Sequence, residues 1–149
     1  MKKKVLIVHG HSSIEIFHTL VPFFLLSEKE TNYIFEFIDY KFFKNKRINA
    51  DILILVRKYH SFSLDEESSR KFIVEDIKKL KDKYKKVIYF DDSAAISHIL
   101  FFIIPYVDAY WKRGLLKDKR QYQKKYIGGR TYSDYYLKKY NLKDLSNNF

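Results

Sequence analysis

Four short apolar runs punctuate the first ninety residues, and their character differs. Residues 5–8 (VLIV) and 51–56 (DILILV) are nearly continuous in branched apolar side chains, the pattern of strands buried on both faces of a parallel sheet. Residues 33–40 (YIFEFIDY) alternate enough to form another strand, with Glu36 and Asp39 facing solvent or closing its end. Residues 86–90 (KVIYF) form the fourth. Between them the period lengthens. Ser12 and Glu15 make a capping box that opens a helix running to about Glu28, with a kink expected at Pro22. Ser63 and Glu66 repeat the device, and behind them Ile73, Ile77, Leu80 and Tyr84 line one helical face. A further apolar helix is expected over residues 94–111, interrupted at Pro105. Strands alternating with helices predict an α/β chain with a Rossmann-like open, mostly parallel sheet and flanking helices. Residues 1–111 would form that domain, and residues 112–149 a basic, aromatic-rich helical extension packed on it.

In such sheets the ligand crevice lies at the carboxyl ends of the strands. Three strands deliver polar residues there: His9, Gly10 and His11 after the first, residues 57–60 after the third, and Asp91, Asp92 and Ser93 after the fourth. Gly10 lets a backbone approach a ligand closely, and His9 or His11 suits general base work near neutral pH. Arg57 can hold a phosphate or carboxylate bidentately, or pair with a rim aspartate. Asp91 and Asp92 can ligate a metal, act as a base or accept bonds from a sugar. Neighbours on an extended chain point to opposite sides, which favours one at the rim and the other capping the next helix. His98 lies in an apolar stretch and reads as core.

Several classes are excluded. With no cysteine there is no disulfide, thiolate zinc site or cysteine nucleophile. Neither G-x-G-x-x-G, a P-loop nor a G-x-S-x-G elbow occurs, so ordinary dinucleotide or NTP binding and a serine triad are unsupported. No cofactor and no metal are expected. The apolar run at 5–8 is shorter than a leader's roughly 7–15 residues, and that at 99–106 is far short of the roughly 20 needed to span a bilayer. A cytoplasmic protein is expected, with peripheral contact at the inner face of the membrane.

Charge adds one asymmetry. Residues 110–149 hold eleven Lys and Arg against three Asp, a net +8, whereas the first 109 residues carry +3. Nine aromatic residues interleave with that excess. Such a segment can stack on single-stranded nucleic acid, face anionic lipid, or fold back as an amphipathic helix on Tyr132, Tyr135, Tyr136 and Tyr140. A basic surface kept for solubility gives the same composition.

The stretches VLIVHGHSS, DILILVRKYHS, VIYFDDS and especially PYVDAYWKRGLLKDKRQYQKKYIGGRTYSDYY resemble the amino-terminal half of GT-B glycosyltransferases of bacterial surface-polysaccharide clusters. The resemblance spans nearly the whole chain and rests on overall pattern. It implies an acceptor-binding domain that needs a second Rossmann domain, supplied by a partner chain or lost by truncation, to hold the nucleotide-sugar donor. It also implies that His9, His11, Arg57, His60, Asp91 and Asp92 line the acceptor side, with Gly10 and Ser93 beside them. The acceptor would be a glycan or a lipid-linked diphosphate. Asn at both aspartates is expected to abolish acceptor binding with little loss of fold. The competing expectation is a non-enzymatic module for nucleic acid or anionic membrane.

Overall fold

The strand-forming runs assemble into one all-parallel sheet of β1 (Lys3–His9), β2 (Tyr33–Asp39), β3 (Ile52–Val56), β4 (Lys86–Asp91) and β5 (Ala109–Lys112). This computed structural model describes residues 2–10, 14–29, 32–44, 46, 48–60, 67–93, 99–124 and 139. The strand order is β2-β1-β3-β4-β5. It is a doubly wound α/β arrangement, Rossmann-like, with a single strand outside β1 where the dinucleotide-binding order has two.

Period-two alternation sends each strand's side chains to opposite faces. Leu6, Val8, Leu53, Leu55, Val87 and Tyr89 form one core, packed against Ile73, Ile77 and Leu80 of α3 (Glu67–Lys83). Val5, Ile7, Ile54, Val56 and Ile88 form the other, packed against Leu20 of α1 (Ile14–Ser27). The β1 to β2 and β3 to β4 connections leave in opposite directions along the sheet, so right-handed crossovers put their helices on opposite faces. Ile73 and Ile77 are fully enclosed, and truncating either to Ala would cost about 2–5 kcal/mol.

The helical face read from residues 73, 77, 80 and 84 is the buried one. α1 continues through Pro22 as one helix. Asp39 closes β2 by accepting a hydrogen bond from the Lys41 amide, which caps the short α2 (Tyr40–Phe43), and Glu36 is exposed and paired with Lys4. Ser12, Ser63 and Glu66, assigned to the two capping boxes, lie outside the described residues, as does His98.

The expected helix over residues 94–111 needs correction. From residue 99 the chain makes a turn and a 3-10 segment, Ile104–Tyr106, and then adds β5 to the sheet. Pro105 sets that short turn, and Asp108, accepting from the Val87 amide while its own amide donates to the Val87 carbonyl, starts the strand.

The chain divides into two compact units, Met1–Ser93 with Leu100–Arg113, and Ala94–Ile99 with Gly114–Phe149. In the second, a 3-10 segment, Lys119–Gln123, is capped by Asp118, and the Leu116 amide donates to the Tyr122 hydroxyl at 2.8 Å. The helical tail expected around Tyr132, Tyr135, Tyr136 and Tyr140 lies outside the described residues.

Candidate functional site

β1 and β3 are neighbours whose connections diverge, so the strand order reverses between them and opens a crevice at their carboxyl ends. The β1–β3 register ends with Val8 opposite Leu55, so His9 and Gly10 after it and Arg57 after Val56 leave the sheet at the same end. At this point His9 Nδ1 lies 2.8 Å from the Gly10 carbonyl oxygen. A carbonyl only accepts, so Nδ1 carries the hydrogen and the neutral ring has its lone pair on Nε2.

On the other side of the crevice, Arg57 opens a 3-10 turn, Arg57–Tyr59, and its Nη1 donates to Asp91 Oδ1 at 3.2 Å. Of the two readings of Arg57, the ion pair is present, and it occupies a single nitrogen of the guanidinium among the described residues.

Asp91, at the end of β4, is the centre of a buried network. Its Oδ2 accepts from the Tyr110 hydroxyl at 2.6 Å and pairs with Lys112 Nζ at 3.0 Å, while the Ser93 amide donates to Oδ1 at 3.1 Å. Lys112 Nζ also donates to Ser93 Oγ at 2.6 Å, and Tyr110 Oη accepts from the Leu100 amide. The side chains of Asp91 and Lys112 are 0% and 1% exposed. Burial alone would raise the Asp91 carboxyl, but hydrogen bonds from Tyr110, Ser93 and Lys112 outweigh it and hold the group below the usual carboxylate range. The Tyr110 phenol is pushed up, first by burial and then by its bond to Asp91.

This geometry revises the expectation that Asn at both aspartates spares the fold. Replacing Asp91 strands a fully enclosed ammonium, a change that costs about 3–5 kcal/mol for buried pairs. Asp92 behaves differently. As alternation requires, it points to the opposite face, where Thr19 of α1 donates to its Oδ2 at 3.4 Å. The residues it was expected to cap, from Ala94 on, lie outside the described residues.

His60 is buried at the end of the β3 turn. Its Nε2 sits 3.1 Å from Asp76 Oδ2 of α3, its ring stacks on Tyr89, and its Nδ1 is enclosed without a partner among the described residues. The Asp76 carboxyl, which burial would raise, is instead lowered by the His60 bond and charge. His11 lies outside the described residues.

The structure thus brings Arg57, Asp91 and Ser93 together, sets His9 and Gly10 across the switch point, and turns His60 and Asp92 toward the helices. Tyr110 and Lys112 were not anticipated. They stand two residues apart and so share one face of β5, a spacing hidden by the helical reading of that segment. Among the described residues no three His, Asp or Glu side chains converge on a metal-sized site. None of the described helices is long and apolar enough to cross a membrane. No family model matches the chain, and no curated protein or solved structure is significantly similar to it, so the site is read from its own geometry.

Proposed function

We propose that this chain is the acceptor-side half of a GT-B-type sugar transferase, completed by a second Rossmann-like domain or partner chain that holds the nucleotide sugar. The observation that carries the reading is the set of polar groups at the carboxyl ends of the strands beside the β1/β3 switch point: a histidine ending β1 whose Nδ1 is turned to the Gly10 carbonyl, and Arg57 after β3 held by Asp91. The sequence resemblance supplies the reaction class. In the step, His9 Nε2 takes the proton of the acceptor hydroxyl as its oxygen bonds the sugar's anomeric carbon. The bond to the nucleoside diphosphate breaks, and the diphosphate leaves with the electron pair. Arg57 binds the acceptor's phosphate through the guanidinium nitrogens not turned to Asp91. Asp91, with its oxygens occupied, positions Arg57 and does not transfer protons. A glycan or lipid-linked phosphate at the inner membrane face is the acceptor class.

The test is thermal stabilisation of the full chain by a short polyprenyl phosphate and, separately, by nucleotide sugars. The reading expects stabilisation by the lipid phosphate, retained in His9→Asn and lost in Arg57→Met. Nucleotide sugars alone should stabilise it little. Stabilisation by a single-stranded oligonucleotide only, erased by moderate salt, would overturn the reading in favour of a basic nucleic-acid module.

A further inference from the structure

The turn that carries Arg57 is pinned at its far end by a buried cluster that the sugar-transfer step does not use. Tyr59 and His60 are 4% and 5% exposed, whereas the Arg57 side chain keeps 22%. Both buried rings reach one carboxylate of α3. His60 Nε2 lies 3.1 Å from Asp76 Oδ2, and the Tyr59 hydroxyl donates to the same carboxylate. The two rings meet edge to face with centroids 4.5 Å apart, and His60 stacks on Tyr89 at 6.3 Å. The backbone closes the path. The Arg57 carbonyl accepts from the His60 amide at 3.3 Å and from the Tyr89 hydroxyl at 3.4 Å. Continuous contacts therefore run from Asp76 through His60 to the Arg57 backbone, while Asp91 holds the guanidinium.

Stability does not account for this cluster. An apolar ring at position 60 would fill the same space without enclosing polar atoms, and buried charge pairs are often no more stable than apolar packing of similar volume. The chain instead encloses an imidazole whose Nδ1 has no hydrogen-bond partner among the described residues, at a cost to folding. What a bond to a fixed carboxylate supplies is direction. Apolar packing lets a ring turn or slide, whereas a donor and an acceptor set its angle. Asp76 is well fixed for this, because it lies one turn from both Ile73 and Leu80, the core residues by which α3 is seated on the sheet.

We propose that Asp76, acting through His60 and Tyr59, is a positioning residue for Arg57 and sets where its guanidinium stands to receive an anion. The proposal deepens the sugar-transfer reading and rests on it only for the identity of that anion, the acceptor's phosphate. Asp76 itself touches no ligand. The rival account of the same contacts is a cluster that packs the turn onto α3 and leaves Arg57 indifferent to it.

The experiment follows the Arg57 Nε–H signal of the full chain by nitrogen-15 NMR, assigned by its loss in Arg57→Met, beside thermal stabilisation by a short polyprenyl phosphate. The parent is expected to show this signal apart from those of exposed arginines. In His60→Phe and in Asp76→Leu it should move toward them and lose intensity, and lipid phosphate should bind roughly two- to thirty-fold more weakly. Asp76→Asn keeps an acceptor oxygen for both rings and should hold the parent's signal and binding. His60→Phe replaces one buried ring by an apolar one, so it is expected to fold and decides the matter even where Asp76→Leu does not. An unchanged Arg57 signal in folded His60→Phe overturns the proposal, as does a parent signal already among the exposed arginines. A signal displaced as far in Asp76→Asn overturns it too, by giving the effect to charge and not to the bond. If the signal moves as expected but the parent binds no lipid phosphate, the positioning is upheld and the sugar-transfer reading falls.

Discussion

At the carboxyl edge of the sheet, Asp91 and Lys112 are enclosed with essentially no exposed surface, and donors from β5, the turn after β3 and Ser93 just past β4 converge on one carboxylate. At the amino edge, lysines stand in solvent near exposed leucines. Both edges belong to the same five strands. The difference lies in what charge does when buried or exposed. A buried ion has one tolerable arrangement, because each missing partner costs several kcal/mol, so the network fixes where Arg57 stands. An exposed lysine keeps its hydration and its rotamers, contributes little to folding, and remains available to an outside partner.

The largest test of this contrast is Asp91→Asn. It should lower unfolding free energy by about 3–5 kcal/mol, read from urea denaturation, because Lys112 and Arg57 lose their shared counter-charge. Lys2→Ala with Lys29→Ala should stay within about 0.5 kcal/mol of the parent. Comparable losses at the two edges would erase the distinction. Tyr110→Phe comes next, at about 1–3 kcal/mol, since it removes one hydroxyl that both donates to Asp91 and accepts from the Leu100 amide.

Acid should act on the carboxyl edge first. The Asp91 carboxyl titrates below its unfolded-state value, so the unfolded chain binds the proton more readily in the intervening range. Its stabilisation is therefore complete above about pH 4 and lost as pH falls through the folded-state value. The gap in unfolding midpoint between the parent and Asp91→Asn should shrink on acidification from about pH 6 to about pH 3. A gap independent of pH would mean that the carboxylate's charge is not what stabilises the network.

Much of the carboxyl edge was legible in the sequence because strand ends in an α/β chain are marked by abrupt changes from apolar to polar. That rule placed His9, Arg57 and Asp91 on one rim, and the helical spacing of Ile73, Ile77, Leu80 and Tyr84 named α3's buried face correctly. It did not foresee β5. Residues 109–112 are four residues long and follow an apolar stretch with a proline, so neither period is long enough to register, and pairing with β4 decides the conformation. With β5 missed, Tyr110 and Lys112 were invisible, and the enclosure of Asp91 by them could not be foreseen, although its pairing with Arg57 was one of the two readings. The fate of His60 was equally out of reach, because its partner Asp76 comes from a helix face that sequence spacing alone leaves polar and exposed. The amino edge escaped notice for a different reason. Its lysines and leucines lie far apart in the chain, at residues 2–3, 25–29 and 83–86, and only the parallel topology gathers them.

The smallest effect sharpens the comparison most, because distance and energy should rank in opposite order. Lys4 on β1 and Glu36 on β2 approach to 2.7 Å, closer than Arg57 and Asp91 at 3.2 Å. Yet the Lys4 and Glu36 side chains are 35% and 45% exposed, so water screens the attraction and holding two long side chains costs entropy. A double-mutant cycle through Lys4→Ala and Glu36→Ala should return a coupling of about 0–1 kcal/mol that fades with added salt, whereas a cycle through Arg57→Met and Asp91→Asn should return the larger, salt-insensitive value. If the shorter contact proved the stronger, burial would not be what separates the two edges, and the positioning role given to Asp91 would fall with it.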